Sequence, residues 1–70
     1  MLNTNRVYKH HSGKKYILLG ISNLEATKES YKKDAFYIDE DNVLWSRPVE
    51  EFEKGFELTE EKPWIVLKTD

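Results

Sequence analysis

The chain has 70 residues, with 11 Lys and Arg, 13 Asp and Glu, and no Cys. With 39% hydrophobic residues, we expect one small domain over residues 1–70 and no deep substrate cavity. The lack of Cys excludes disulfides, Cys-ligated zinc, iron–sulfur clusters and thiol nucleophiles. No apolar run reaches the roughly 20 residues that span a bilayer, and no signal peptide is evident, so we expect a cytoplasmic protein.

The charge is divided unevenly along the chain. Residues 1–35 carry a net charge of +4, and residues 36–70 carry a net charge of −6. Two interpretations follow from this asymmetry. The halves of one domain attract each other, or the basic half forms a patch for an anionic ligand.

The N-terminal region predicts a β-hairpin. Residues 6–11 and 14–21 are rich in β-forming side chains and flank the turn formers Ser12 and Gly13. Alternation makes both faces of the second strand apolar, so this strand should be central in a sheet. Gly20 would allow a bulge there.

The middle of the chain predicts a second hairpin. Residues 22–33 are interpreted as a polar loop, with at most one helical turn, entering a strand near Ser30. Residues 34–38 and 43–47 are then strands joined by the acidic turn Asp39-Glu-Asp-Asn42.

The C-terminal third predicts a helical turn and a last strand. Pro48 suits the start of a short helix that docks Phe52 and ends near Gly55. A Glu-rich loop to Lys62 then leads to a strand over Trp64–Lys68. The fold predicted is mainly β: a strongly bent antiparallel sheet, or an SH3-like partly closed barrel, of about five strands with one short helical turn.

Catalytic and metal-binding patterns are weak. His10 and His11 are adjacent on a predicted strand, where their side chains should point to opposite faces and not converge on one ion. No serine lies in a nucleophile elbow, the glycines stand apart, and the carboxylates cluster on what looks like a solvated face. We therefore expect a non-enzymatic protein without metal or cofactor.

The strongest candidate site is an aromatic and cationic pair. Trp45 and Arg47 share one face of their strand, where an indole can stack a planar ring and a guanidinium can grip a phosphate or carboxylate. Tyr8 and His10 share a face of the first strand and would line the same surface. The alternative is that Trp45 belongs to the core and Arg47 forms a structural ion pair.

Several motifs also resemble a known family. They are Tyr8-Lys-His10, Ser12-Gly13-Lys14, the aliphatic strand that ends at Gly20, and Leu44-Trp-Ser-Arg-Pro48. Over about residues 6–52 the chain resembles the small bacterial and phage domain-of-unknown-function family 1653. A His-Ser-Glu-Thr segment of that family corresponds here to Asn23-Leu-Glu-Ala26, and its Met before a Phe corresponds to Glu51. The resemblance implies a small β-rich fold and the candidate site residues Tyr8, His10, Glu25, Trp45 and Arg47, but no reaction.

The function predicted is that of a small binding module. A Tyr, Trp and Arg surface would hold a protein partner or a small anionic, nucleotide-like ligand, and association into a homodimer would stabilise so short a chain. The alternative is single-stranded nucleic-acid binding through the basic residues Arg6, Lys9, Lys14 and Lys15. A third hypothesis, a small hydrolase, needs Glu25 and His10 within hydrogen-bond reach.

Overall fold

The computed structural model of the protein describes residues 2–23 and 32–65. Its elements, in chain order, are β1 (Val7–His10), β2 (Lys15–Ile21), β3 (Asp34–Ile38), β4 (Leu44–Pro48), α1 (Val49–Gly55) and β5 (Phe56–Leu58). The strands form one antiparallel sheet in the order β4-β3-β2-β1-β5. This confirms the predicted mainly β fold with one short helix, and the sheet remains open because β4 and β5 are not paired.

The first hairpin lies where the sequence predicts it. β1 pairs with β2 so that Val7 faces Ile17 and Tyr8 faces Tyr16. Gly13 in the turn has a φ of 98°, a backbone conformation that a side chain would disfavour. β2 is the central strand, and its register shifts between Leu18 and Gly20, which confirms the predicted bulge.

The acidic turn of the second hairpin is stabilised by one carboxylate. Asp39 Oδ1 accepts hydrogen bonds from the backbone N–H groups of Asp41 and Val43, both at 2.9 Å. Asn42 has a φ of 64°, a left-handed conformation that Asn tolerates better than most residues. An Asx-type turn therefore explains why this connection contains Asp and Asn.

An aromatic cluster fills one face of the sheet, which we call the concave face. Its buried members are Tyr8, Leu18, Ala35, Tyr37, Phe52 and Phe56. Phe52 is fully buried, as predicted, and α1 ends at Gly55. The Phe56 ring on the edge strand β5 lies 5.2 Å from the Tyr37 ring on β3. Because β2 and β1 separate β3 from β5 in the sheet, this contact requires the sheet to curve around the cluster.

The opposite face carries a smaller apolar cluster. Val7, Ile17 and Ile38 are buried there, and Ile65 packs against them. The segment that follows β5 is held by a hydrogen bond from Thr59 N–H to the carbonyl of Val7, at 3.0 Å.

The predicted last strand is wrong in its described part. Trp64 and Ile65 are not in a strand, and residues 66–68 lie outside the described residues. The fifth strand is instead Phe56–Leu58, inside the segment predicted as a Glu-rich loop. Burial of Phe56 in the aromatic cluster explains the difference, because that contact is tertiary and leaves little local pattern. Most of the loop predicted over residues 22–33 also lies outside the described residues.

Replacing Phe52 with Ala should destabilise the domain severely. Truncating a buried Phe typically costs about 3–5 kcal/mol, which is comparable with the whole stability of a domain this small. We expect a large loss of the folded fraction in urea unfolding followed by circular dichroism. Glu53→Ala, an exposed change in the same helix, should leave the midpoint nearly unchanged, and equal effects of the two substitutions would contradict the packing described here.

Candidate functional site

Trp45 and Arg47 lie on the same face of β4, as predicted. Trp45 is directly opposite Tyr37 in the β3–β4 ladder, and Arg47 is opposite Ala35. Since Tyr37 and Ala35 belong to the aromatic cluster, the pair lies on the concave face. Trp45 is 49% exposed, so it is not a core residue.

Arg47 is held against the aromatic cluster. Its Nε donates a hydrogen bond of 2.7 Å to the Tyr37 hydroxyl, and its guanidinium carbon lies 5.4 Å from the centre of the Phe56 ring. This is cation–π geometry. Within residues 2–23 and 32–65 the one ion pair is Lys15–Glu61, so Arg47 has no carboxylate partner there. The structural ion pair considered for Arg47 is thus not formed in this part of the chain.

The Trp45 indole is fixed at its edge. Its Nε1 donates a hydrogen bond of 2.9 Å to Asp39 Oδ2. This bond, with the backbone N–H groups of Val43 and Asp41, lowers the pKa of the Asp39 carboxyl. The carboxylate of Asp39 therefore joins the turn to the indole, and the exposed part of the ring is oriented before any ligand arrives.

Tyr8 is placed differently from the surface position expected for it. The side chain is buried, and its ring packs edge-on against Phe52 at 5.1 Å. Its hydroxyl accepts a hydrogen bond of 2.9 Å from the backbone N–H of Asn3. Tyr8 therefore supports the concave face from within the core and does not line an open surface beside Trp45.

The His10 ring packs edge-on against the Phe56 ring, at a ring-centre distance of 4.8 Å. Its Nδ1 is 2.8 Å from the Ser12 hydroxyl oxygen and accepts the Ser12 backbone N–H at 3.2 Å. The ring of His11 lies 3.9 Å away, tilted by 37°. The expectation that the two rings point to opposite faces is wrong, because β1 ends at His10 and the chain turns there.

The histidines line a cleft that sequence reasoning missed. It has a volume of about 270 Å³, and its walls are formed by Lys9, His10, His11, Lys54, Gly55 and Glu57. The backbone N–H of His11 donates to the carbonyl of Gly55 at 3.2 Å, which joins the β1 turn to the end of α1. No local signal could reveal this cleft, because it depends on a contact between segments more than forty residues apart. In the described part of the chain, no three His, Asp or Glu side chains are close enough to hold a metal ion.

Glu25, the remaining candidate, lies outside the described residues, so its relation to His10 stays a hypothesis.

Comparison with protein-family models, with curated proteins and with solved structures finds no match to this chain. The resemblance to family 1653 therefore stays a prediction. Among the described residues, no helix has the length and apolar character needed to cross a membrane.

His10 should make the stability of the domain depend on pH. Burial lowers the pKa of this ring, and the positive charges of His11, Arg47 and Lys14 lower it further. The folded state then binds its proton less readily than the unfolded chain, whose His has a pKa of 6.5. The contribution of the neutral His10 ring to the free energy of unfolding should be fully present above that value. It should be lost as the pH drops through the lowered pKa of the folded state.

Urea unfolding at pH values of about 7.5 and 5.0 measures this dependence. The fall in midpoint on acidification should be smaller in His10→Gln, and most of it should persist in His11→Gln. If the urea midpoint of His10→Gln falls on acidification as much as that of the parent, another group is responsible.

Proposed function

We propose that this protein is a non-enzymatic binding module that holds an anionic group through Arg47 and a flat ring on Trp45. The ligand is a small nucleotide-like molecule, or a protein partner that offers the same two groups. The main support for this proposal is the environment of Arg47. Its side chain is positioned by the Tyr37 hydroxyl and the Phe56 ring, and it has no carboxylate partner among the described residues.

The guanidinium is suited to a planar anionic group. Its Nε is occupied by Tyr37, and its two terminal amino groups form no hydrogen bond with any residue in the described ranges. Two parallel N–H donors match the oxygens of a phosphate or a carboxylate, and such charge-assisted bonds are stronger than neutral ones. Contacts with Tyr37 and Phe56 reduce the conformational freedom that Arg47 loses on binding.

Trp45 supplies the second contact. Residues i and i+2 of a strand are about 7 Å apart at roughly 3.3 Å per residue. An exposed indole at this distance from a guanidinium fits a ligand whose flat ring is a few bonds from its anionic group. The hydrogen bond to Asp39 fixes the edge of the indole and leaves stacking as the available interaction.

Nucleic-acid binding through the N-terminal half receives less support. Of the four basic residues proposed for it, Lys15 is paired with Glu61 at 2.7 Å and Arg6 donates to the carbonyl of Thr59 at 3.1 Å. The Trp45–Arg47 pair is itself flanked by the acidic turn before β4 and by Glu50 and Glu51 after it. These carboxylates would repel a polyanion more than a single small anion.

A fluorescence titration tests the proposal. In a Trp64→Phe background, where Trp45 is the remaining indole, adenosine 5′-monophosphate should quench the emission, and adenosine without phosphate should do so much less. Arg47→Gln should weaken binding by about tenfold or more, since a hydrogen bond to a charged group contributes roughly 1.5–3 kcal/mol. The affinity of Arg47→Lys should lie between those of the parent and of Arg47→Gln, because lysine keeps the charge but lacks the planar guanidinium.

Lys9→Gln is the matched control, since Lys9 is an exposed cation whose position alternates with Tyr8 and so faces away from the concave side. Binding should also weaken as salt is added, because the contact is electrostatic. Equal quenching of the parent and of Arg47→Gln would show that Arg47 does not hold the phosphate. No quenching by the nucleotide, together with saturable binding of single-stranded oligonucleotides, would favour the nucleic-acid alternative.

A further inference from the structure

β4 is an edge strand with exposed apolar side chains. It pairs with β3 on one side and has no neighbouring strand on the other among the described residues. Leu44 is 62% exposed and Trp45 is 49% exposed. Natural proteins usually protect such an edge with charges, prolines, bulges or covering segments. Here the ladder with β3 is regular along β4, Arg47 is its only charged residue, and its one proline is at the last position.

The hydrogen-bond alternation identifies the backbone groups at the free edge. Val49 N–H donates to the carbonyl of Lys33, and Asp39 N–H donates to the carbonyl of Val43. In an antiparallel ladder, bonded and non-bonded pairs alternate, so Trp45 and Arg47 direct their backbone groups toward β3. Leu44, Ser46 and Pro48 consequently direct theirs away from the sheet.

We infer that two copies of this chain pair through their β4 strands, antiparallel and centred on Ser46, to form a symmetric dimer with one continuous sheet. A two-fold axis at Ser46 places this residue opposite Ser46 of the partner subunit, where each N–H can donate to the other's carbonyl. Leu44 N–H then donates to the carbonyl of the partner's Pro48, and the partner's Leu44 donates in the same way to the carbonyl of Pro48. The carbonyl of Leu44 receives no bond in this pair, because proline has no N–H. Such self-complementary interfaces are the usual form of homodimers.

The side chains match in this register. When two β4 strands pair antiparallel about Ser46, Trp45 lies opposite the partner's Arg47 on the concave face. Each indole can therefore take a guanidinium, a cation–π contact that gains strength as water is removed. On the other face, the exposed Leu44 meets the partner's Pro48, which is an apolar pair.

Neighbouring registers match less well. Shifting by two residues toward the C-terminal end of β4 sets Arg47 opposite the partner's Arg47, and like charges directly opposite each other are destabilising. Shifting by two toward the N-terminal end sets Trp45 opposite the partner's Trp45 and leaves Arg47 facing Val43 of the partner subunit. Only the register centred on Ser46 provides each Arg47 with an aromatic ring across the interface.

This pairing goes beyond the proposed ligand binding and does not rest on it. An indole stacks on the flat face of a guanidinium, whereas an anion binds its N–H edge, so one Arg47 is compatible with both interactions. The exposed Trp45 indole is shared, so the partner's guanidinium and a ligand's ring compete for it. The two interactions differ in their response to salt. The dimer brings the acidic turn of each chain toward the end of β4 where the partner's helix begins, and Glu50 and Glu51 follow that end. Added salt should screen this repulsion and tighten the dimer, while it weakens binding of an anion.

Cysteine cross-linking tests the register directly, because the chain has no Cys of its own. Opposed residues in an antiparallel pair lie about 5.5 Å apart at Cα, within the range of a disulfide. With oxidised glutathione as the oxidant, Ser46→Cys should form a disulfide dimer at least about tenfold faster than Glu53→Cys, an exposed control on α1, because pairing raises the effective thiol concentration. Equal rates for these two variants, or faster cross-linking of Trp45→Cys than of Ser46→Cys, would overturn the proposal.

Sedimentation equilibrium provides the second measurement. Ser46→Pro removes the outward N–H at a position where an edge strand tolerates Pro, and it should shift the protein to monomer, whereas Ser46→Thr should remain dimeric. Circular dichroism of each variant confirms that it is folded. A monomeric parent protein at millimolar concentration and high salt would also refute the dimer. Ser46 lies on the face opposite Arg47, so nucleotide quenching in Ser46→Pro tests the ligand site separately.

Discussion

The stack of Phe52 on Phe56 is the contact on which the rest of the structure depends. The rings are 4.2 Å apart and inclined by only 9°, and they connect α1 to β5. Since α1 leads directly from β4 to β5, the chain passes from one edge of the sheet to the other within seven residues. A flat sheet would hold these edges too far apart, so burial of the two phenylalanines and curvature of the sheet are one constraint.

The geometry of the candidate site follows from this curvature. Phe56 is brought from the opposite edge of the sheet to the side chain of Arg47, and the same ring makes an edge contact with the His10 ring. Tyr37 completes the arrangement, because its ring packs in the cluster while its hydroxyl accepts from Arg47. The core therefore orients the guanidinium, and no separate polar scaffold is needed in a chain of this size.

Local patterns in the sequence were sufficient for much of the fold. Alternation located both hairpins and the central position of β2, and the Pro48 and Gly55 signals located the helix that buries Phe52. They failed where a tertiary contact outweighed propensity. Trp64-Ile-Val-Leu-Lys68 has the stronger β pattern, yet its described residues Trp64 and Ile65 are not in a strand. Phe56–Leu58 is the fifth strand because Phe56 enters the aromatic cluster. The two-residue period also placed Trp45 and Arg47 on one face correctly, but it could not show that Tyr8 is buried under α1 or that β1 ends at His10.

Among the described residues no carboxylate pairs with Arg47, and this could not be predicted from the sequence, because the C-terminal half is strongly acidic. The carboxylates near Arg47 in sequence lie elsewhere: Glu50, Glu51 and Glu53 are exposed on α1. The Arg47 side chain instead lies against the aromatic cluster. The surrounding acidic groups lower the attraction for any anion at long range. What remains is the short-range match of one guanidinium and one indole. In the proposed site, this guanidinium and indole would therefore favour one small anionic group with a ring beside it over a polyanion, whose further phosphates would meet carboxylates.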